Sequence, residues 1–254
     1  MRVGTENTRM RNGAEMKPLP LVCLPFAGVG ASIFRTWWGR EGHGLSIVPV
    51  QLPGREELID DEPHRDIGAA IDELAPRVLA ALRGRTEIAV FGHSMGAFLG
   101  YELAHRLIDT ADIRVAVLVV SGSHGPHQSR RRQVTGLSDE QFLDGIAEFV
   151  GYRPAALDDP EFRELLLPVL RADAEMHERY RPSVDRPLPA PILTVRGSAD
   201  DMVSAREVGQ WQAVTTAPLL TAELPGGHMY PTEHADALLR LIAGTVGQPV
   251  GPSR

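Results

Sequence analysis

Cysteine, lysine and long apolar runs are scarce in this chain. Among its 254 residues there is a single cysteine, Cys23, and Lys17 is the only lysine. A lone thiol closes no internal disulfide and excludes a metal site built from several thiolates. Cys23 sits in the apolar run Leu21-Val22-Cys23-Leu24 and is expected to be a buried core residue. No stretch approaches the ~20 apolar residues that span a bilayer. The first 17 residues are polar, with no apolar core of signal-peptide length. A cytoplasmic protein without a membrane segment is the expectation. Positive charge is also short: 26 Lys and Arg against 33 Asp and Glu leave a net charge of −7, which excludes nonspecific attraction to nucleic acid or anionic lipid.

What is present suits one globular domain, with 43% hydrophobic and 23% charged residues and no internal repeat. Short apolar runs at Leu19–Leu24, Ser46–Gln51, Glu87–Phe91, Val115–Ser121, Ile192–Arg196 and Leu219–Leu224 read as strands. Helical periodicity fills Ile67–Leu82, Ala97–Leu107, Ala205–Val214 and Ala235–Val246. This alternation predicts an α/β fold, a mostly parallel central sheet with helices on both faces. Residues 18–246 are expected to form the domain, with 1–17 and 247–254 as flexible tails. From about 124 to 190 the strand signal vanishes and two helical patterns appear, Ser138–Val150 and Glu161–Tyr180, the second interrupted or kinked at Pro168. An insertion of that length on the crevice side reads as a helical lid.

The chemistry begins at Gly92-His93-Ser94-Met95-Gly96, directly behind Ile88-Ala89-Val90-Phe91. A G-x-S-x-G stretch between strand and helix holds the serine in a strained turn with its hydroxyl clear of both elements. A hydroxyl attacks at neutral pH only when a base takes its proton, and histidine suits that task. Of the nine histidines, His228 follows the last strand in the turn Pro225-Gly226-Gly227-His228, over the strand ends. His93 is a weaker candidate base because its side chain leaves the elbow in another direction, and His234 reads as structural. The acid that orients the base is expected after Ile192–Arg196, in Gly197-Ser198-Ala199-Asp200-Asp201. Asp200 is favoured, with Asp201 as the alternative. The order Ser94, Asp200, His228 is that of α/β-hydrolases. An oxyanion would be held by the N–H of Met95 and by one from Ala27-Gly28-Val29-Gly30. That loop lacks the third glycine of a dinucleotide fingerprint, since Ile33 stands there, and His124 and His127 make only a loose pair. Neither a cofactor nor a metal is expected.

Several stretches together resemble the type II thioesterases that accompany polyketide synthases and nonribosomal peptide synthetases. They are Leu24-Pro25-Phe26-Ala27-Gly28, Gln51-Leu52-Pro53-Gly54-Arg55, Phe91-Gly92-His93-Ser94-Met95-Gly96-Ala97 with Tyr101-Glu102-Leu103-Ala104, Leu167-Pro168-Val169-Leu170-Arg171-Ala172-Asp173, Gly197-x-x-Asp200 and Pro225-Gly226-Gly227-His228. The resemblance implies an α/β-hydrolase fold, Ser94 as nucleophile, Asp200 as acid, His228 as base, and an oxyanion hole from the backbone of Ala27 and Met95. It implies hydrolysis of stalled or wrong acyl groups from the phosphopantetheine arm of acyl or peptidyl carrier proteins. Phe26 stands where that family usually has histidine, and Val29 interrupts a usual Gly-Gly. Phe26 is therefore expected to shape the acyl pocket.

A carrier protein is typically acidic and would be repelled at long range by a net charge of −7. Arg130-Arg131-Arg132, at the entrance to the lid, is the candidate positive patch, its alternative being a solvated loop. The competing functions are an esterase or acyltransferase on free small molecules and a non-catalytic binder on the same fold. No large apolar surface is legible, so a monomer is expected.

Overall fold

The computed structural model describes residues 17–39, 43–128, 133–150 and 155–246. The Arg130-Arg131-Arg132 patch and the terminal stretches 1–16 and 247–254 lie outside them. Six strands form one sheet: β1 Leu19–Leu24, β2 Leu45–Pro49, β3 Glu87–His93, β4 Arg114–Ser121, β5 Ile192–Gly197 and β6 Leu219–Leu224. Their order is β2-β1-β3-β4-β5-β6, and every pairing is parallel. The helices are α1 Ile67–Leu82, α2 Met95–Ala111, α3 Asp139–Val150, α4 Pro160–Arg179, α5 Ala205–Gly209, α6 Tyr230–Glu233 and α7 Ala235–Val246. The chain moves outward from β1 to β2, then returns to the other side of β1 with β3. Strand order reverses there, which opens a crevice at the strands' carboxyl ends.

The sheet is apolar on both faces because helices cover both. Alternate residues divide cleanly between two cores. Val22, Leu24, Ile88, Val90, Leu118 and Val120 pack with α1 and α2. Leu21, Cys23, Ala89, Phe91, Val117 and Val119 pack with α7 and the short helical turn at Ala31–Trp37. Cys23 is fully buried, and burial pushes its thiol well above the ordinary value. α1 begins at Asp66, whose carboxylate accepts from the Ala69 N–H at 2.9 Å, and ends where Arg83 turns left-handed at φ 48°.

Between β4 and β5 the described chain adds no strand to the sheet. Instead α3 and α4 meet over a small third core of Val134, Phe142, Leu143, Leu157 and Ala174. α4 is a continuous 20-residue helix with Pro168 inside it, so the proline does not interrupt it. Pro168 removes one backbone donor, but Pro168 and Glu164, whose carbonyl loses that bond, are both exposed, so that carbonyl is open to solvent. The pattern expected to run as one helix over Ala205–Val214 also differs. α5 stops at Gly209 and a 3-10 turn carries on from Gln210 to Val214.

Candidate active site

Ser94 lies between β3 and α2 with φ 52° and ψ −118°, a left-handed conformation for a residue with a side chain. Two glycines permit the elbow. A Cβ on Gly92 would lie 1.9 Å from the Gly96 carbonyl oxygen, and one on Gly96 would lie 2.5 Å from that of Leu24. The Ser94 N–H donates to the Ser121 carbonyl at 2.8 Å, tying the elbow to the end of β4. Met95 opens α2, so its N–H is one of those the helix leaves without an internal acceptor.

Asp200 and His228 come together from the two neighbouring strands. Backbone bonds stitch their turns: Ser198 N–H to Leu224 O at 2.8 Å and Ala199 N–H to Gly226 O at 2.9 Å. His228 Nδ1 lies 3.0 Å from Asp200 Oδ2, with both side chains almost wholly buried. The other carboxylate oxygen, Oδ1, accepts from the N–H groups of Met202 at 2.9 Å and Val203 at 3.1 Å. Burial pushes this carboxyl's pKa up. The hydrogen bond and charge of His228, with the two backbone donors, outweigh that and hold it below the usual carboxylate value. Asp200 is therefore an anion, and its partner nitrogen carries the proton. Asp201 is exposed, so of the two adjacent aspartates it is Asp200 that meets His228.

His93, the residue before Ser94, lies beside the base. Its ring centroid is 4.8 Å from that of His228 and 5.5 Å from that of Phe26, which meets it edge-on. His93 Nδ1 lies 2.9 Å from Ser121 Oγ, which lies 2.5 Å from the Tyr230 hydroxyl. Burial, then the charge of His228, lower its pKa well below the ordinary value against a backbone bond from Ser121. It is a neutral ring packed under the base. The pairing of His93 with Ser121 in the β3–β4 register foreshadows this chain of contacts, and Tyr230 follows His228 by two residues.

The turn after β1 completes the crevice. The Val29 N–H points to Phe26 O at 3.4 Å and Gly28 has φ +82°, so Phe26–Val29 is a tight turn with a left-handed third residue. A group that sequence reading left unconnected sits against it. Asp173 of α4 accepts from the Gly28 N–H at 2.7 Å and from Arg55 at 2.7 and 2.9 Å. Both residues belong to recognisable motifs, but 118 positions separate them and nothing local pairs them. His124 stacks on His177 with centroids 6.0 Å apart and donates from Nδ1 to Gly125 O, while His127 is exposed. His234 provides the carbonyl that starts α7, accepting from the Leu238 N–H at 3.0 Å.

Comparison with known proteins agrees with this geometry. The Thioesterase domain family matches residues 19–245. A probable cadicidin biosynthesis thioesterase of Streptomyces griseus is 31% identical over 235 residues, covering 92% of this chain and 64% of that longer protein. Among solved structures, the type II thioesterase BorB from the borrelidin biosynthetic cluster aligns with TM-score 0.78 and 34% identity over 90% of this chain and 93% of that one. YbtT, a type II thioesterase from the yersiniabactin NRPS/PKS pathway, aligns with TM-score 0.82 and 30% identity over 94% and 95%. With a parallel sheet, a serine elbow and an aspartate–histidine pair over its strand ends, this chain belongs to the thioesterase family of α/β-hydrolases.

Proposed function

We propose that this protein is a type II thioesterase that hydrolyses stalled or incorrect acyl groups from the phosphopantetheine arm of acyl or peptidyl carrier proteins. The observation that carries the reading is the buried Asp200–His228 hydrogen bond, together with a strained Ser94 at the β3–α2 elbow, in a chain of this family. In this mechanism Ser94 Oγ attacks the thioester carbonyl while His228 Nε2 takes its proton. Asp200 holds the Nδ1–H tautomer and stabilises the imidazolium. The backbone N–H groups of Met95 and Ala27 receive the oxyanion. Collapse of the tetrahedral intermediate breaks the C–S bond, and His228 passes its proton to the departing sulfur. Water, deprotonated by His228, then releases the acid and restores the Ser94 hydroxyl. No resident cofactor enters any step.

α3 and α4 act as the lid over the acyl group, and Phe26, edge-on to His93, forms one wall of its chamber. The protein works as a monomer in the cytoplasm on transient carrier partners. The reading is tested by incubating wild type and Ser94→Ala with a carrier protein bearing a short acyl-phosphopantetheine and following the free thiol by intact mass. Release by wild type alone is expected. Equal release by Ser94→Ala would overturn the mechanism, and cleavage of oxygen esters without thiol release would make the protein an esterase.

A further inference from the structure

The Asp173 side chain is fully buried and that of Arg55 is 7% exposed. Arg55 grips both carboxylate oxygens and also donates to the carbonyls of Val29 and Pro53, each at 3.2 Å. Such a pair is a poor way to gain stability. Removing two charges from water costs several kcal/mol, and well-packed apolar residues in the same place often stabilise as much or more. An apolar pair cannot accept a hydrogen bond, however, and the Gly28 N–H donates to Asp173 Oδ2 at 2.7 Å.

That bond fixes a peptide plane. A turn with positive φ at its third residue has its central peptide in one orientation, and the commoner turn type has it reversed. In Phe26–Val29 the central peptide joins Ala27 to Gly28, and the direction of the Gly28 N–H distinguishes the two states. Asp173 holds one of them, and the neighbouring Leu170 lies where a Gly28 Cβ would fall, at 2.6 Å. The clamp comes from α4, not from the sheet that carries the turn.

We infer that Asp173 is a positioning residue which, held by Arg55, anchors the Phe26–Val29 turn through the Gly28 N–H and so holds in place the adjoining Phe26–Ala27 peptide, whose N–H receives the oxyanion, making catalysis depend on α4 being seated. The inference rests on the proposed role of Ala27 in a serine acyl-transfer site. It differs from a structural clamp in what it predicts for turnover.

The experiment measures kcat and KM on an acyl-N-acetylcysteamine thioester and on a p-nitrophenyl ester, with thermal midpoints for every variant. Asp173→Ala is expected to lower kcat on both substrates by about 10²- to 10³-fold, the effect of losing one oxyanion donor, with KM little changed. Affinity for a trifluoromethyl ketone analogue, which forms a tetrahedral adduct on the serine, should fall by the same factor. Asp173→Asn keeps an acceptor for Gly28 and should recover most of kcat. The double variant Arg55→Met with Asp173→Leu removes the buried charges together and guards against a folding defect. It should melt near wild type and stay as slow as Asp173→Ala. Wild-type kcat in that double variant would overturn the inference, as would a loss confined to KM. Wild-type cleavage of the ester but not the thioester would overturn the proposed substrate alone, the Asp173 comparison then being decided on the ester. Wild-type inactivity on both would overturn the two together.

Discussion

Ser94 is held at φ 52° by its neighbours, a strain of about 1–3 kcal/mol that the surrounding packing sustains. Its proposed base depends on one carboxylate and not on the next. Asp200→Asn should lower kcat by about 10⁴-fold, since an amide favours the wrong imidazole tautomer, whereas Asp201→Asn should leave it unchanged. Steady-state kinetics on both variants checks this, and an equally large loss in Asp201→Asn would mean that Asp201 is needed as much as Asp200. Two other histidines act on stability. His93 and His105 are 1% and 2% exposed, and burial first of all lowers the pKa of each. Around His105, Arg186 adds to the lowering while Glu102 and Asp109 oppose it. The unfolded chain therefore takes up protons at these positions before the folded one does. Stability is intact above the ordinary histidine pKa of about 6.5 and declines as pH falls toward the folded values, by up to about 1.4 kcal/mol per group at one unit below. Urea midpoints at pH 7.5 and 5.5 should show the decline, and His105→Phe should reduce it by up to half.

At the scale of elements, α4 is fixed at one end and open at the other. Beyond Asp173, its Glu178 accepts the N–H groups of Val134 at 2.6 Å and Thr135 at 3.2 Å, gathering the entry to the insertion. Just past its end, Tyr180 donates to the buried Glu102 of α2 at 2.8 Å, and the Ser183 N–H does so at 3.1 Å. At the other end, Phe162 and Leu165 are 54% and 49% exposed. An opening of the proposed lid would therefore belong to α3 and the first turns of α4. Glu102→Leu leaves the Tyr180 hydroxyl and the Ser183 N–H without their acceptor. It should cost about 1–3 kcal/mol in urea unfolding, and no loss would show that solvent replaces the carboxylate. The strands of this fold were legible because a parallel sheet covered on both faces needs unbroken apolar runs, and β1 and β6 match their expected ranges. The strained elbow at Ser94 and the Asp200–His228 pair were legible because each of these residues ends or follows a strand within a glycine-marked turn. Arg55 with Asp173, Glu102 with Tyr180, and His93 beneath His228 were not. Those contacts join residues distant in sequence, and only the packing of α4 and the β3–β4 register sets them. Pro168 does not end the helix because the carbonyl that loses its donor, that of Glu164, lies on an exposed face.

Over the whole molecule the net charge of −7 sets the terms on which a partner approaches. Most described arginines are already engaged in ion pairs, among them Arg65 with Glu175, Arg106 with Asp72, Arg163 with Glu140, Arg171 with Asp139, Arg186 with Asp109 and Arg196 with Glu223. An acidic carrier protein would meet a surface of its own sign, with the positive charge largely neutralised in place. Raising ionic strength from about 0.01 M to about 0.1 M shortens the Debye length from about 30 Å to about 10 Å and removes most of that repulsion. KM for an acyl group on a carrier should fall over this range by about two- to tenfold. KM for the same acyl group on uncharged N-acetylcysteamine should not move, because that substrate carries no net charge to repel. Measuring both under identical salt separates steering of the carrier from any effect of salt on the site. A KM that rises with salt for the carrier alone would refute the repulsion and show that a local basic patch governs docking. Arg130-Arg131-Arg132 would then be the first residues to neutralise.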